Sequence, residues 1–169
     1  VVMQLEVPMA SVAYVAEQCA ELGIRFLLNA APAATVPPDI LSVCDPLVVN
    51  ESEAALLLGI QERAYPAHDL ARMLIDMGPR SVVITLGSAG SLFTDHTGAV
   101  IIQSAPTVAA VDTTGAGDAF VGALASALVK GQSLAAGAEL GTRVAAIAVQ
   151  RTGAQASYPT AADLIVTSS

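Results

Sequence analysis

Strand-like and helix-like segments alternate along most of these 169 residues, and the alternation predicts an α/β fold with a mainly parallel central sheet flanked by helices. Composition agrees: the chain is 54% hydrophobic but 4% aromatic, so Ala, Val, Leu and Ile must build the core. Such residues suit helices packed closely on a buried sheet. Polar residues also gather where the strands end, at Glu6, Asn29, Asn50, Thr85 to Ser88 and Asp112 to Asp118. Functional groups of parallel sheets collect at those ends. No repeat or low-complexity linker interrupts the chain, so residues 1–169 read as one domain with a real core.

Residues 1–5 read as a strand with Glu6 at its C-terminal end. Pro8 opens a helix running to about Leu22, and Gly23 stops it. A second strand covers 24–28 and ends at Asn29. Beyond the loop 30–36, a short helical piece near 38–43 leads to a third strand at 46–49. Asn50 caps a helix over 51–58, closed by Gly59. A helix at about 68–77 and the turn Gly78-Pro79 precede a strand at 81–85. Gly87-Ser88-Ala89-Gly90 turns the chain back into 91–94, and Asp95-His96-Thr97-Gly98 turns it again into 99–103, an antiparallel excursion.

Two apolar helices follow at about 117–129 and 134–150, and a short one at 161–165. The first is apolar on nearly every side, which predicts burial, and Gly122, Ala123, Ala125, Ser126 and Ala127 would allow close backbone approach. Glu139 and Arg143 stand at helical i,i+4 spacing and read as a solvated pair.

The net charge of −8 argues against a broad nucleic-acid surface. The apolar runs are too short to cross a bilayer. Cys19 and Cys44 fit no metal-ligand spacing and read as reduced, inert thiols of a cytoplasmic protein. Asn50-Glu51-Ser52 fits the glycosylation pattern, but nothing else suggests secretion. The opening Val1-Val2-Met3-Gln4-Leu5-Glu6 reads as the middle of a buried strand, so we expect sequence upstream of it.

Chemistry concentrates in Val111-Asp112-Thr113-Thr114-Gly115-Ala116-Gly117-Asp118-Ala119-Phe120. A loop of small residues runs there into a helix N-terminus with a carboxylate in the first turn. Glycines let the backbone approach a bound group, and the first amides of a helix have no partner inside it. Amides and dipole together favour an anion such as a phosphate. Asp118 would stand beside that anion as a proton acceptor.

Asn50-Glu51-Ser52-Glu53 has the spacing of a capping box, whose cap contributes about 1 kcal/mol. The alternative is a polar pair ordering waters around a magnesium ion, which keeps several waters and uses few carboxylates. Thr85-Leu86-Gly87-Ser88-Ala89-Gly90 is either a plain turn or a phosphate-contacting one. Glu6 is either a surface charge or an acceptor for a polyhydroxylated substrate. His68 and His96 have no companion ligand and read as surface residues. The phosphate loop with Gly-Lys-Ser/Thr, the third glycine of the dinucleotide fingerprint and the Gly-x-Ser-x-Gly elbow are all lacking.

The stretch from Asp112 to Phe120 resembles the C-terminal signature of the ribokinase-like, or PfkB, carbohydrate kinases almost residue for residue. Val2-Met3-Gln4-Leu5-Glu6, Leu28-Asn29-Ala30-Ala31-Pro32-Ala33, Asn50-Glu51-Ser52-Glu53, Ile84-Thr85-Leu86-Gly87-Ser88 and Arg151-Thr152-Gly153-Ala154-Gln155 follow in the family's order. The resemblance implies a ribokinase-like fold and ATP-dependent phosphorylation of a sugar's primary hydroxyl. Gln4-Leu5-Glu6 favours ribose; fructose, deoxyribose or a nucleoside are the acceptors that remain within the family. A nucleotide-binding module without catalysis is the reading from another class.

By matching position, the resemblance makes Asp118 the base, with Gly115, Ala116 and Gly117 presenting an anion hole to the transferring phosphoryl group. Phosphoryl transfer needs positioning and charge stabilisation more than covalent help. Asn50 and Glu53 would serve the nucleotide phosphates and magnesium through water. Thr85, Leu86, Gly87, Ser88, Ala89, Gly90 and Thr142 would line the nucleotide pocket, with Gly117 and Asp118 at its phosphate end. Glu6, with Asp118, would meet the sugar. Asp112, Thr114, Ala148, Arg151, Gly153 and Ser157 would surround a monovalent cation, usually potassium, several through backbone carbonyls.

Family members also carry an N-terminal half with sugar-binding motifs and a lid that builds a homodimer, and no counterpart is legible here. The resemblance therefore makes this chain the C-terminal, nucleotide-binding part of a ribokinase-like domain. It implies exposed sheet edges, poor stability and little or no kinase activity for the chain alone.

Overall fold

The structure, a computed structural model, describes residues 1–166. The chain divides into two compact units, Val1–Leu86 with Leu92–Ile102, and Gly87–Ser91 with the residues from Gln103 onward.

The first unit carries the sheet. Its strands are β1 (Val2–Met3), β2 (Phe26–Asn29), β3 (Cys44–Asn50), β4 (Ser81–Thr85), β5 (Ser91–Asp95) and β6 (Val100–Gln103), side by side in chain order. The first four are parallel, with Val2 opposite Leu27, Leu28 opposite Leu47 and Asn50 opposite Thr85. The connections from β4 to β5 and from β5 to β6 are too short for a parallel crossover, so the chain doubles back twice, as the turn residues predict.

Helices α1 (Met9–Leu22), α2 (Pro38–Leu41), α3 (Glu51–Leu57) and α4 (Ala67–Ile75) join the parallel strands. Sequential strand order with right-handed crossovers sets all four on one face. Val12, Ala16 and Cys19 of α1 recur at helical spacing and are buried, joining Phe26, Leu28, Ile40, Leu47, Leu74 and Ile84 in one apolar core. Every residue of β2 is buried, without the in-and-out alternation of a half-exposed strand. Gly23, at φ +64°, takes the left-handed turn that ends α1.

Several boundaries differ from expectation by a few residues, and two of the differences have a plain cause. The first strand keeps only Val2–Met3 of residues 1–5, because the Leu5 amide donates to the Ala31 carbonyl (2.8 Å) instead of continuing the ladder. It lies at a sheet edge, where Val1 and Val2 are exposed. Conversely, β3 starts at Cys44, whose carbonyl accepts the Arg80 amide (2.9 Å). Both cysteines are free and buried, and burial pushes the Cys44 thiol up to about 12, which leaves it unreactive. Among the described residues no helix is long and apolar enough to cross a membrane.

The second unit is built on α5 (Ala116–Val129) and α6 (Leu134–Ala148), followed by α7 (Ala161–Val166). The glycines that permit close packing are those of α6, not the expected Gly122. A Cβ on Gly141 would lie 2.8 Å from the Phe120 ring and one on Gly137 2.6 Å from Leu124, whereas one on Gly122 meets nothing within 4 Å. Helical phase decides this, since Gly122 faces away from the contact that Phe120 and Leu124 make. Arg143, expected to pair with Glu139 in solvent, sends Nη2 to the Leu164 carbonyl (3.3 Å).

Candidate functional site

In the second unit, the loop before α5 is shaped by one glycine. Gly115 is the N-cap at φ +76°, and no side chain caps the helix. A side chain there would be strained, and its Cβ would also lie 2.9 Å from the Tyr158 hydroxyl and 3.1 Å from Ala154 Cα. The Ala116 amide donates to the Thr113 carbonyl (3.2 Å) and the Ala119 amide to the Gly115 carbonyl (2.9 Å). No acceptor among the described residues takes the amides of Gly115 and Gly117. Of the three amides expected in the anion hole, the Ala116 amide is thus turned inward, closing the helix's first turn. Asp118 is exposed in that turn.

Asp112 fastens this loop. The amides of Val111 and Asp112 both donate to the Val149 carbonyl (2.7 and 3.1 Å) at the end of α6. The Asp112 carboxylate then spans two loops, accepting from the Thr114 amide at Oδ1 (2.9 Å) and the Gly153 amide at Oδ2 (2.8 Å). These bonds, the Gly153 amide foremost, hold the carboxyl down at about 2.

Residues 111–114 and 148–157 therefore run side by side, which brings together the six residues expected around a monovalent cation. Their donor set is backbone carbonyls, a carboxylate and a hydroxyl, all hard oxygen, and it fits such an ion. Several of those groups already have work. The Ala148 carbonyl accepts the Arg151 amide (3.1 Å), Arg151 pairs with Asp163 (2.9 Å), and the buried Ser157 hydroxyl donates to the Ala154 carbonyl (2.6 Å). Thr142 is buried, with its hydroxyl 3.0 Å from that of Ser91.

The first unit gathers the other expected residues at the C-terminal ends of its strands. Asn50 ends β3, caps α3 and lies opposite Thr85 at the end of β4. Asn50 Oδ1 accepts the Glu53 amide and Glu53 Oε2 accepts the Asn50 amide, both at 2.8 Å, a complete capping box. Burial raises the Glu53 carboxyl, with the Asn50 amide opposing it. Among the described residues nothing takes Glu53 Oε1 or Asn50 Nδ2, so this helix end caps itself and still keeps one acceptor for a water shell. Leu86 packs on the sheet's core, and Glu6 is exposed just past β1.

In the second unit, Gly87–Ala89 forms a single 3₁₀ turn with Ser88 and Ala89 exposed. It is closed by the Gly90 amide on the Gly87 carbonyl (3.1 Å). Gly90 has φ +105°, and a Cβ on it would collide with the Gln103 carbonyl, so this turn admits only glycine there. Tyr158 is the residue that the sequence did not single out.

The pfkB family carbohydrate kinase profile matches residues 2–161. Ribokinases of Schizosaccharomyces pombe and Staphylococcus aureus are 39% and 40% identical, each alignment covering 94% of this chain and 51% or 53% of the relative. A deoxyribokinase of Salmonella typhi is 36% identical over 94% of this chain and 52% of its own. The solved structure of Arabidopsis thaliana ribokinase with ribose and ATP superposes with a TM-score of 0.90 at 29% identity, covering 98% of this chain and 54% of that one. The chain thus spans about half the length of the curated relatives it matches.

Proposed function

This chain belongs to the pfkB family of carbohydrate kinases, and from that premise we propose that it is part of an ATP-dependent kinase acting on a sugar's primary hydroxyl, most specifically that of ribose. The observation that carries the reading is the uncapped start of α5. Gly115 in the left-handed region opens the helix, the Gly117 amide is left to an incoming anion, and Asp118 stands in the same turn. In this reading the amides and helix dipole bear the charge that develops on the moving phosphoryl group. Asp118 takes the proton of the attacking hydroxyl as a general base.

Asn50 and Glu53 serve the nucleotide phosphates and a hydrated magnesium ion, which supplies positive charge to those phosphates when bound. The loops that Asp112 ties together hold a monovalent cation, with carbonyl oxygens as its ligands. Ribose is favoured because ribokinases stand at 39% and 40% identity. A deoxyribokinase at 36% supports deoxyribose as the nearest alternative.

A coupled assay of ADP release with ATP, magnesium, potassium and each sugar, run on the kinase of which this chain is part, tests this, whereas the chain alone should release little or no ADP. We expect release that depends on sugar, is highest with ribose, and falls in Asp118→Asn. Release that ignores the sugar, or that survives Asp118→Asn unchanged, would refute it. Calorimetry that finds nucleotide binding insensitive to sugar, with no ADP release, would favour the module without catalysis.

A further inference from the structure

The turn Gly87–Ala89 is an exposed tip on a buried stem: its three residues are exposed, while Gly90 and Ser91 behind them are buried. The stem is held from two sides within the second unit. On one side the backbone of Gln103–Ala105 crosses Gly90 so closely that a Cβ there would overlap the Gln103 carbonyl and stand 2.6 Å from the Ala105 amide nitrogen. On the other, the Ser91 hydroxyl meets the Thr142 hydroxyl of α6 at 3.0 Å, with either able to donate. Ser91 is fully buried and Thr142 only 4% exposed, so this pair has almost no surface to offer a ligand. Two apolar side chains of the same shape would fill this place at little cost, so packing gives no reason for the hydroxyls.

We propose that Thr142 is a positioning residue for the nucleotide: through Ser91 it fixes the Gly87–Ala89 turn at a set distance from the start of α5, and it does not itself touch the nucleotide. This deepens the kinase reading and rests on it, since that reading brings the nucleotide to this turn and its terminal phosphate to Gly115–Asp118. Thr142 follows Gly141, against which the Phe120 ring of α5 packs. Successive helix positions point about 100° apart, so α6 holds α5 with one residue and the stem of the turn with the next. A turn of glycine, serine and alanine has little side chain of its own, and its place is set by what its stem is bound to. A hydroxyl–hydroxyl bond is directional, and a buried one is strengthened by its surroundings, so it fixes the stem where a dispersion contact would let it slide. Holding the turn in place beforehand spares the nucleotide the cost of ordering it.

The test uses the kinase of which this chain is part, with residues numbered as here. Calorimetry with the β,γ-imido analogue of ATP and magnesium measures affinity, and thermal melts measure stability. Amide exchange at Gly90, whose amide donates to the Gly87 carbonyl, reads the turn without nucleotide. We expect Thr142→Val and Ser91→Ala each to weaken the analogue about tenfold and the double variant no further, because both remove the same bond. Each single variant strands a buried hydroxyl and should melt lower. The double variant strands none, so it should recover most of the melt while its affinity stays low. Thr142→Ser keeps the hydroxyl and should keep the affinity, and Gly90 exchange should quicken in Thr142→Val. Affinity lost in Thr142→Val alone, with Ser91→Ala like the parent, would make Thr142 a direct ligand and overturn the proposal. So would a double variant that regains affinity along with its melt, or a Gly90 amide indifferent to Thr142→Val. A parent that binds no analogue sinks the kinase reading itself, whereas a parent that binds it with all variants alike sinks only the role given to Thr142.

Discussion

Two helix starts in this molecule solve the same problem in opposite ways. At α3, Asn50 and Glu53 satisfy each other's amides, and the helix end is closed by its own sequence. At α5, Gly115 supplies no side chain, and among the described residues no acceptor takes the amides of Gly115 and Gly117, so the helix end is left open. The first arrangement puts its hydrogen bonds into stability. The second forgoes a cap worth about 1 kcal/mol and keeps donors for something else. An uncapped helix start beside an exposed carboxylate is therefore the more informative of the two for function, although both follow a polar loop.

The contrast can be broken most severely at Asp118. Asp118→Asn should lower sugar-dependent ADP release by about 10²–10⁴-fold while leaving the melting temperature almost unchanged. A comparable loss of stability would mean that this end, too, is structural. Gly115→Ala comes next. It forces an alanine to φ +76° against Ala154 and Tyr158, which should cost about 1–2 kcal/mol in denaturant melts. It should also weaken nucleotide binding about tenfold. An alanine variant that binds and melts like the parent would show the loop to be tolerant, and the open-end account would fail.

At the closed end, Asn50→Ala should lose about 1 kcal/mol of stability and Asn50→Asp almost none, since aspartate caps equally well. Equal melts for the two variants would remove the cap from the account. The smallest effect concerns acid. Asp112 titrates at about 2 in the fold against 3.8 in a free chain, so the unfolded state binds more protons between those values. Its stabilisation is complete above 3.8 and disappears as pH falls toward 2. Asp163, held at about 2 chiefly by Arg151, acts in the same window. Melts followed from pH 5 to pH 2 should show a shallower acid loss in Asp112→Asn than in the parent. An identical acid limb would mean that the clasp between the two loops carries no weight.

Most of the fold was legible because its signals are local. Gly23 and Gly59 mark helix stops, Asn50 with Glu53 marks a helix start, and unbroken apolar runs mark buried parallel strands. Boundaries failed where a distant partner intervened, as when the Ala31 carbonyl took the Leu5 amide and cut β1 short. The packing glycines were misjudged for a related reason. Composition shows that an α5–α6 contact needs small residues, but only the helices' relative phase selects Gly137 and Gly141 over Gly122.

By itself, then, the sequence determined the strand and helix order, the glycine-opened start of α5 with Asp118 in its first turn, and the capping box at α3. Each depends on residues within a few positions of one another, where backbone sterics and short hydrogen bonds act without help. Only the tertiary structure decided that Asp112 joins the loop before α5 to Gly153 and that Tyr158 lies on Gly115. Those contacts join residues far apart along the chain, and no periodicity or spacing carries them. They exist because α5 and α6 pack closely enough to bring the loops at their ends together.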